Sequence, residues 1–203
     1  MIALAVGNGE SRAGVNFTHN KEIILVGCNA LHRNTEVDHL VCCDRRMIEE
    51  SISSDNTKNT KIYVREDYFN SYSKKDSRIT LVPKLPYTGK TKADAPIHWG
   101  SGPYAVLLAA SLHVEKIALL GFDLYPSNSN TVNNIYKGTT NYSGKKSKPI
   151  DYSFWEYQIA KVFEYFPNKE FTIYNKQDWK LPNIWNKNNV SVKFLESKSL
   201  TLA

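Results

Sequence analysis

The chain has few cysteines, the residues that cross-link small secreted domains or bind structural metals, and it has no long apolar run. Its 203 residues include three cysteines, and no apolar run approaches the roughly 20 residues of a membrane-spanning helix. Three cysteines without Cys-x-x-Cys spacing argue against a disulfide framework and a zinc site, and they predict buried free thiols. Because no basic residues precede the short apolar amino-terminal segment, a signal peptide is not expected. We therefore expect a soluble, cytoplasmic protein.

Charge of neither sign dominates the chain. Lys and Arg number 26 against 20 Asp and Glu, which gives a formal net charge of +6. This excess favours anionic partners, but the lysines are spread out rather than clustered, so nucleic acid is not the expected partner. Hydrophobic residues make up 41% and charged residues 23%, which are ordinary values for a globular protein. The length suits one domain over residues 1–203.

Short apolar runs alternate with helical patterns along the chain. Strands are predicted at 2–6, 22–27, 38–43, 61–65, 78–82, 116–121 and 170–174, with an edge strand from 190 and a tail over 195–203. Helices are predicted at 45–51, 102–113 and 151–166, with Ser101 as the N-cap of the second. The polar stretch 70–77 is predicted as a loop, and 126–150 as a flexible flap. This alternation predicts a single Rossmann-like, doubly wound, mostly parallel α/β sheet.

Polar residues stand where several of the apolar runs stop. They are Asn8, Asn29, Asp44, Ser101 and Asp123. Any one of them would suit an ordinary turn. In a doubly wound sheet, however, ligands bind at the carboxyl ends of the strands, so five such residues in succession favour a binding crevice.

The first of these ends is the loop 7–12, with the sequence Gly-Asn-Gly-Glu-Ser-Arg. Glycines let the backbone approach a phosphate, and the hydroxyl and guanidinium groups can donate to one. The predicted contacts are Gly7, Asn8, Gly9, Ser11 and Arg12. Because the loop lacks the third glycine of the dinucleotide fingerprint and the lysine of a P-loop, it predicts an anion site without specifying the ligand. A plain turn with a solvent-facing arginine is the competing interpretation.

The order of these motifs resembles a known group of enzymes. The matching motifs are Gly-Asn-Gly-x-Ser at 7–11, Cys-Asn at 28–29, Ser-Gly-x-Tyr at 101–104 and Gly-x-Asp-x-Tyr at 121–125. They resemble the bacterial sialyltransferases of family 42, which use CMP-sialic acid. The chain is also similar to Rossmann-like proteins of the DUF115 group, which includes an archaeal 6-hydroxymethyl-dihydropterin diphosphokinase. Uncharacterised bacteriophage proteins share the pattern, and such a protein would act in the host cytoplasm.

The resemblance implies a transferase that uses a nucleotide-activated sugar, needs no cofactor and acts on an acceptor such as a glycan. Asn8 and Asn29 would contact the ribose, phosphate or transferred sugar. Ser101 and Gly102 would hold the base or sugar at a helix N-terminus. Tyr125 would donate its hydroxyl to the leaving phosphate, with Tyr136 as a second candidate donor. Assembly into a homo-oligomer stays open.

One expected residue of that family is missing. The sialyltransferases carry a general-base histidine in the flap after Gly-x-Asp-x-Tyr, but residues 126–203 contain no histidine. Another group would have to take the acceptor's proton. The candidates are His98, His32 and Asp44, and for each histidine a structural role on a loop is the competing interpretation. Structural roles are expected for His19, His39 and His113.

Two other functions stay open at this point. A diphosphokinase would need Mg²⁺, which Asp44 and Asp123 could hold at neighbouring strand ends unless Asp123 caps a loop instead. A non-catalytic binding protein with this fold, such as a virion-associated one, would keep the crevice without a base or a metal. Trp99 is the aromatic candidate for stacking on a ligand, whereas the aromatic residues of 152–166 have the spacing of a helix core.

Overall fold

One parallel sheet of eight strands organises the described part of the chain. The computed structural model describes residues 1–17, 20–125, 130–195, 200 and 202. The strands are β1 (Ile2–Val6), β2 (Ile23–Cys28), β3 (His39–Val41), β4 (Lys61–Val64), β5 (Ile79–Leu81), β6 (Lys116–Leu120), β7 (Glu170–Asn175) and β8 (Val190–Phe194). The helices are α1 (Arg45–Ile52), α2 (Glu66–Tyr72), α3 (Ser101–Ser111) and α4 (Ser153–Tyr165).

The strand order is β5-β4-β3-β2-β1-β6-β7-β8, and every neighbouring pair is parallel. From β1 the chain adds strands outward to β5, and it then crosses back to add β6, β7 and β8 on the other side. The order therefore reverses between β1 and β6. At such a reversal the loops that follow the two strands leave in opposite directions and open a crevice. The predicted Rossmann-like, doubly wound fold is confirmed.

Alternate side chains of β1 lie on opposite faces of the sheet. Ala3 and Ala5 belong to the apolar cluster that includes α3 and α4, whereas Leu4 and Val6 belong to the cluster that includes α1. All four side chains are fully buried, which explains why β1 is an unbroken apolar run in the sequence. Small alanines on one face let α3 pack closely over the centre of the sheet. This packing holds the start of α3 beside the loop after β1, where both line one cavity.

Helix α2 is absent from the sequence-based prediction, which assigns 70–77 to a loop. Residues 70–72 belong to α2 instead. Glu66 and Asp67 occupy its first turn, where carboxylates favour a helix, and Tyr72 packs into the core. The other predicted strands and helices are present, with ends that differ by at most two residues. In the described part of the chain, no helix has both the length and the apolar character needed to cross a membrane.

Gly7 lies where the loops after β1 and β6 meet. A Cβ atom at this position would lie 2.4 Å from the carbonyl oxygen of Gly121, a backbone atom that cannot swing aside. We expect Gly7→Ala to lower the free energy of unfolding by about 2 kcal/mol, as overpacking substitutions do. Urea denaturation measures this change. Gly144→Ala is the control, because its nearest neighbour would be 3.6 Å away, and equal midpoints for the two variants would contradict the prediction.

Candidate functional site

A cavity of about 320 Å³ opens where the strand order reverses. We call it the inner cavity. It lies at the carboxyl ends of β1, β2, β3 and β6 and against the start of α3. The structure brings eight predicted site residues to its wall: Gly7, Asn8, Gly9, Asn29, Asp44, Ser101, Gly102 and Asp123. Residues that are up to 116 positions apart in the sequence therefore face one space.

A second cavity of about 500 Å³ adjoins the first. We call it the outer cavity. Its wall shares Asn29, Asp44, Asn134 and Trp155 with the inner cavity. The first turns of α1 and part of the segment 132–150 complete it. Both volumes lie in the range of about 300–1,000 Å³ that is common for small-molecule sites, and the shared residues make the two cavities neighbours.

Two asparagines that line the inner cavity each have a buried amide oxygen without a hydrogen-bond partner. Asn8 Oδ1 and Asn29 Oδ1 are both buried and accept no hydrogen bond from any described residue. The amide nitrogen of Asn8 is held in place, since it donates to the Tyr142 hydroxyl at 3.1 Å. An unsatisfied buried acceptor costs about 1–3 kcal/mol, so two on residues of one wall need an explanation.

Backbone strain is concentrated around the same crevice. Among the described residues, the non-glycine residues with positive φ are Asn29 (49°), Leu124 (65°) and Asn141 (67°). Asn29 and Leu124 line the inner cavity, and Asn141 lines the outer one. Asparagine tolerates this conformation, but leucine does not adopt it readily. Strain of about 1–3 kcal/mol per residue is typical of sites where a fold sets a binding geometry.

The first turn of α3 supplies backbone donors to the inner cavity. The N–H groups of Ser101 and Gly102 have no acceptor within the helix, and Pro103 fits this turn because it has no N–H. Contrary to the sequence-based prediction, Gly100 is the N-cap. The Ser101 hydroxyl instead accepts a hydrogen bond from Cys43 N–H at 2.8 Å, which ties α3 to the end of β3. The positive end of the α3 dipole favours an anion at this wall.

Ser11 and Arg12 are predicted to contact a phosphate, but in the structure their side chains form hydrogen bonds with other protein groups. Each is 5% exposed, and neither lines the inner cavity. Ser11 donates to both carboxylate oxygens of Asp123, from its backbone N–H at 2.7 Å and from its hydroxyl. Arg12 donates to the Gly7 carbonyl oxygen at 2.6 Å and to the Tyr136 hydroxyl at 2.9 Å. Both side chains therefore hold the loop after β1 in place.

Asp123 lines the inner cavity but is committed to that loop. It is 4% exposed, and its oxygens accept the Ser11 hydrogen bonds. Burial raises the pKa of its carboxyl group, although the Ser11 hydrogen bonds oppose the rise. No described group of three or more His, Cys, Asp or Glu side chains is arranged to hold a metal ion. The Asp44–Asp123 pair is a poor fit to Mg²⁺, because the ion would have to share oxygens with Ser11.

The predicted aromatic contacts lie outside the inner cavity. The Tyr125 hydroxyl donates to the Lys180 carbonyl oxygen, and Tyr125 lines a small separate recess beside Ser11. Tyr136 is buried, and its hydroxyl donates to the Asn34 side chain. Trp99 is fully buried against Tyr104. None of the three lines the inner cavity.

Neither candidate histidine lines the inner cavity. His98 is exposed, with its ring edge against Phe154. His32 is 1% exposed and lies 2.9 Å from the Asn29 carbonyl oxygen through Nδ1 and 3.4 Å from Glu50 through Nε2. This contact with the Asn29 carbonyl oxygen stabilises the turn in which Asn29 has a positive φ. His39 packs edge-on against Tyr63, and His113 follows α3.

His19 lies outside the described residues, so its predicted structural role is not described. Of the candidate bases, Asp44 is the one that lines the inner cavity. Its side chain is exposed and makes no hydrogen bond that caps α1, although Asp44 is the N-cap residue. No described residue donates a hydrogen bond to the Asp44 carboxylate or forms an ion pair with it.

Sequence reasoning missed several residues of the inner wall, among them Trp155, Asn134, Cys28 and Cys43. Trp155 of α4 lines both cavities, and its indole nitrogen lies 3.0 Å from where a Cβ on Gly100 would be. Asn134 also lines both cavities. Burial raises the pKa of the Cys28 and Cys43 thiols, each to about 12, so both line the wall as neutral groups. All three cysteines are buried free thiols, as predicted.

The described part of the predicted flap, 130–150, contains no helix or strand and is tied to the loops beneath it. Ile135 N–H donates to the Asn8 carbonyl oxygen at 2.9 Å, and Asn133 accepts from Glu10 N–H at 2.7 Å. The Tyr142 hydroxyl accepts from Ala30 N–H at 3.3 Å as well as from Asn8. The segment therefore forms a fixed part of the cavity wall in this structure.

The buried position of His32 makes stability depend on pH. Burial lowers the pKa of His32 below its ordinary value of 6.5, although Glu50 and the Asn29 carbonyl oppose the change. The folded protein then binds this proton less readily than the unfolded chain, so stability falls as the pH drops below 6.5. We expect the urea midpoint to decrease from about pH 7.5 to about pH 5.5, and to decrease less in His32→Gln. Equal decreases in both proteins would contradict this prediction.

Comparison with known proteins adds no family to this geometry. No family model matches the chain, and no curated protein or solved structure matches it either. The chemistry of the site must therefore be derived from its own residues. These supply two asparagines with unpartnered amide oxygens, the backbone donors of α3 and the carboxylate of Asp44 around the inner cavity.

Proposed function

We propose that the inner cavity binds a nucleotide and that the protein is a transferase acting on a nucleotide-activated sugar, as the sialyltransferase-like motifs imply. One observation carries the proposal. Asn8 and Asn29, each with a buried side-chain oxygen that has no partner, line the same cavity as the first turn of α3. Acceptors for hydroxyl groups therefore stand beside donors for an anion, which is the pairing that a ribose and its phosphate require.

The size and lining of the inner cavity support this ligand. A volume of about 320 Å³ suits a small molecule such as a nucleoside monophosphate. Trp155 provides an aromatic surface on which a base or sugar can pack.

The hydrogen bonds of Asp123 favour a metal-independent transfer over the diphosphokinase alternative. Its carboxylate already accepts from Ser11, so a Mg²⁺ ion bound there would compete with the contacts that hold the loop after β1. The N-terminus of α3 can stabilise the charge on a departing phosphate without a metal. No contact in the described chain specifically favours the diphosphokinase.

Asp44 is the group we assign as the base. Its exposed carboxylate stands at the end of β3 and borders both cavities. In the proposed step, an acceptor hydroxyl attacks the sugar carbon, the bond from that carbon to the phosphate oxygen breaks, and Asp44 takes the hydroxyl proton. The phosphate keeps the electron pair of the broken bond. His98 and His32 do not border the inner cavity, which leaves Asp44 as the better candidate.

Nucleotide binding tests the site. We expect Asn8→Ala and Asn29→Gly each to weaken binding by about tenfold, because each removes an acceptor for a ligand hydroxyl. Glycine is chosen at position 29 because it tolerates the positive φ. Calorimetric titration with CMP, UDP, GDP and ATP, with and without Mg²⁺, measures the affinities. Asn188→Ala, on an exposed surface, is the matched control.

Two results of that titration would overturn the proposal. One is that none of the four nucleotides binds to the wild-type protein. The other is that both site variants bind as tightly as the Asn188→Ala control. Binding that requires Mg²⁺ would instead favour the diphosphokinase.

Turnover tests the role of Asp44. We expect Asp44→Asn to bind the nucleotide within about twofold of wild type and to lower transfer by about 10²- to 10⁴-fold, the usual contribution of a general base. The measurement is nucleotide release from CMP-sialic acid and UDP-sugars in the presence of glycan acceptors. His98→Gln is the control and should retain activity. Nucleotide binding without any turnover would support a non-catalytic binding protein instead.

A further inference from the structure

The outer cavity contains two opposite charges that nothing in the described chain neutralises. Arg46 and Asp44 both line it, and both side chains are exposed. No hydrogen bond or ion pair joins either side chain to a described residue, and the two do not pair with each other. They are only two positions apart in the sequence, so the start of α1 holds the charges on one wall without letting them meet.

The other charged residues of this wall are already paired. Arg45 donates to Glu49 at 2.9 Å, and the Lys137 ammonium lies 2.6 Å from a Glu10 oxygen. Arg46 is therefore the cation of the outer cavity that has no hydrogen-bond or ion-pair partner among the described residues. A guanidinium group binds phosphate or carboxylate through two parallel hydrogen bonds, so the ligand chemistry it fits is an anionic group.

The rest of the wall suits a polar molecule with hydroxyl groups. Amide and hydroxyl side chains come from Asn29, Asn134 and Ser143. Asn141 and Tyr142 also line it, but Asn141 donates to Glu50 and the Tyr142 hydroxyl accepts from Asn8 and Ala30. Trp155 stands where the two cavities join. A molecule seated on this wall, with its anion at Arg46, would have other groups within the part of the crevice that Asp44 borders.

We propose that the outer cavity is the site of the second substrate and that this substrate is a hydroxyl compound with a phosphate or carboxylate group, such as a sugar phosphate or a uronic acid. Arg46 binds the anionic group, and Asp44 faces the reacting hydroxyl. The inference rests on the proposed function for the reaction itself, but the anion site at Arg46 stands or fails separately. The attack joins the acceptor oxygen to the donor carbon, the phosphate leaves with its electron pair, and the hydroxyl proton passes to Asp44.

Three probes of similar size test the anion site. Glucose 6-phosphate carries a phosphate, glucuronate carries a carboxylate and glucose carries neither. We expect calorimetric titration of the wild-type protein, alone and with CMP or UDP present, to show at least tenfold tighter binding of one anionic probe than of glucose. The stronger of the two anionic probes identifies which anion the site prefers.

Variants connect that preference to one side chain. Arg46→Gln should reduce the affinity for the anionic probe by about tenfold, Arg46→Lys should recover part of it, and nucleotide affinity should stay within about twofold. Lys58→Gln is the control, because Lys58 pairs with Asp55 away from both cavities. Equal binding of all three probes, or an unchanged preference in Arg46→Gln, would overturn the inference.

The results also separate this inference from the proposed function. If the anionic preference depends on Arg46 but no nucleotide binds, the proposed function fails and the anion site remains. If nucleotides bind through Asn8 but the preference is absent, the second-substrate assignment alone fails.

Discussion

The carboxylate of Asp123 joins the loops that follow the two central strands of the sheet. It accepts two hydrogen bonds from Ser11 and leaves so little room that a Cβ on Gly9 would lie 2.4 Å from its carboxyl carbon. Arg12 completes the connection by binding the Gly7 carbonyl oxygen and the Tyr136 hydroxyl. The inner cavity exists because these contacts fix one wall of the crevice while α3 fixes the other.

The sequence predicts the sheet well, because central strands of a parallel sheet are buried on both faces. Ile2–Val6 is found as predicted since every inward and outward side chain is apolar. Helix α2 could not be recognised in the same way, because a seven-residue helix with a polar exposed face resembles a loop in composition. Periodicity identifies elements that are long or fully buried and misses short ones that rely on tertiary contacts.

Site residues are predictable by position but not by orientation. The ends of parallel strands must meet, so Asn8, Asn29 and Asp44 could be grouped from the sequence. The direction of a side chain depends on partners far along the chain, as for Ser11 and its acceptor 112 positions away. The two tryptophans show that orientation is not predictable from position. Trp99 lies two residues before the Ser-Gly-x-Tyr motif yet is fully buried. Trp155 belongs to α4, whose aromatic spacing predicts core residues, yet it lines the inner cavity.

The shared use of the inner wall constrains how this protein can diverge. Gly7 and Asp123 line the inner cavity and also connect the two halves of the sheet, so a substitution there should change stability along with the shape of the cavity. Arg46 is exposed and has no hydrogen-bond or ion-pair partner in the described chain, so it does not connect parts of the fold. Substitutions in the outer cavity should therefore cost less stability than substitutions in the inner cavity. Descendants of this chain should accordingly differ more at outer-cavity residues than at inner-cavity residues.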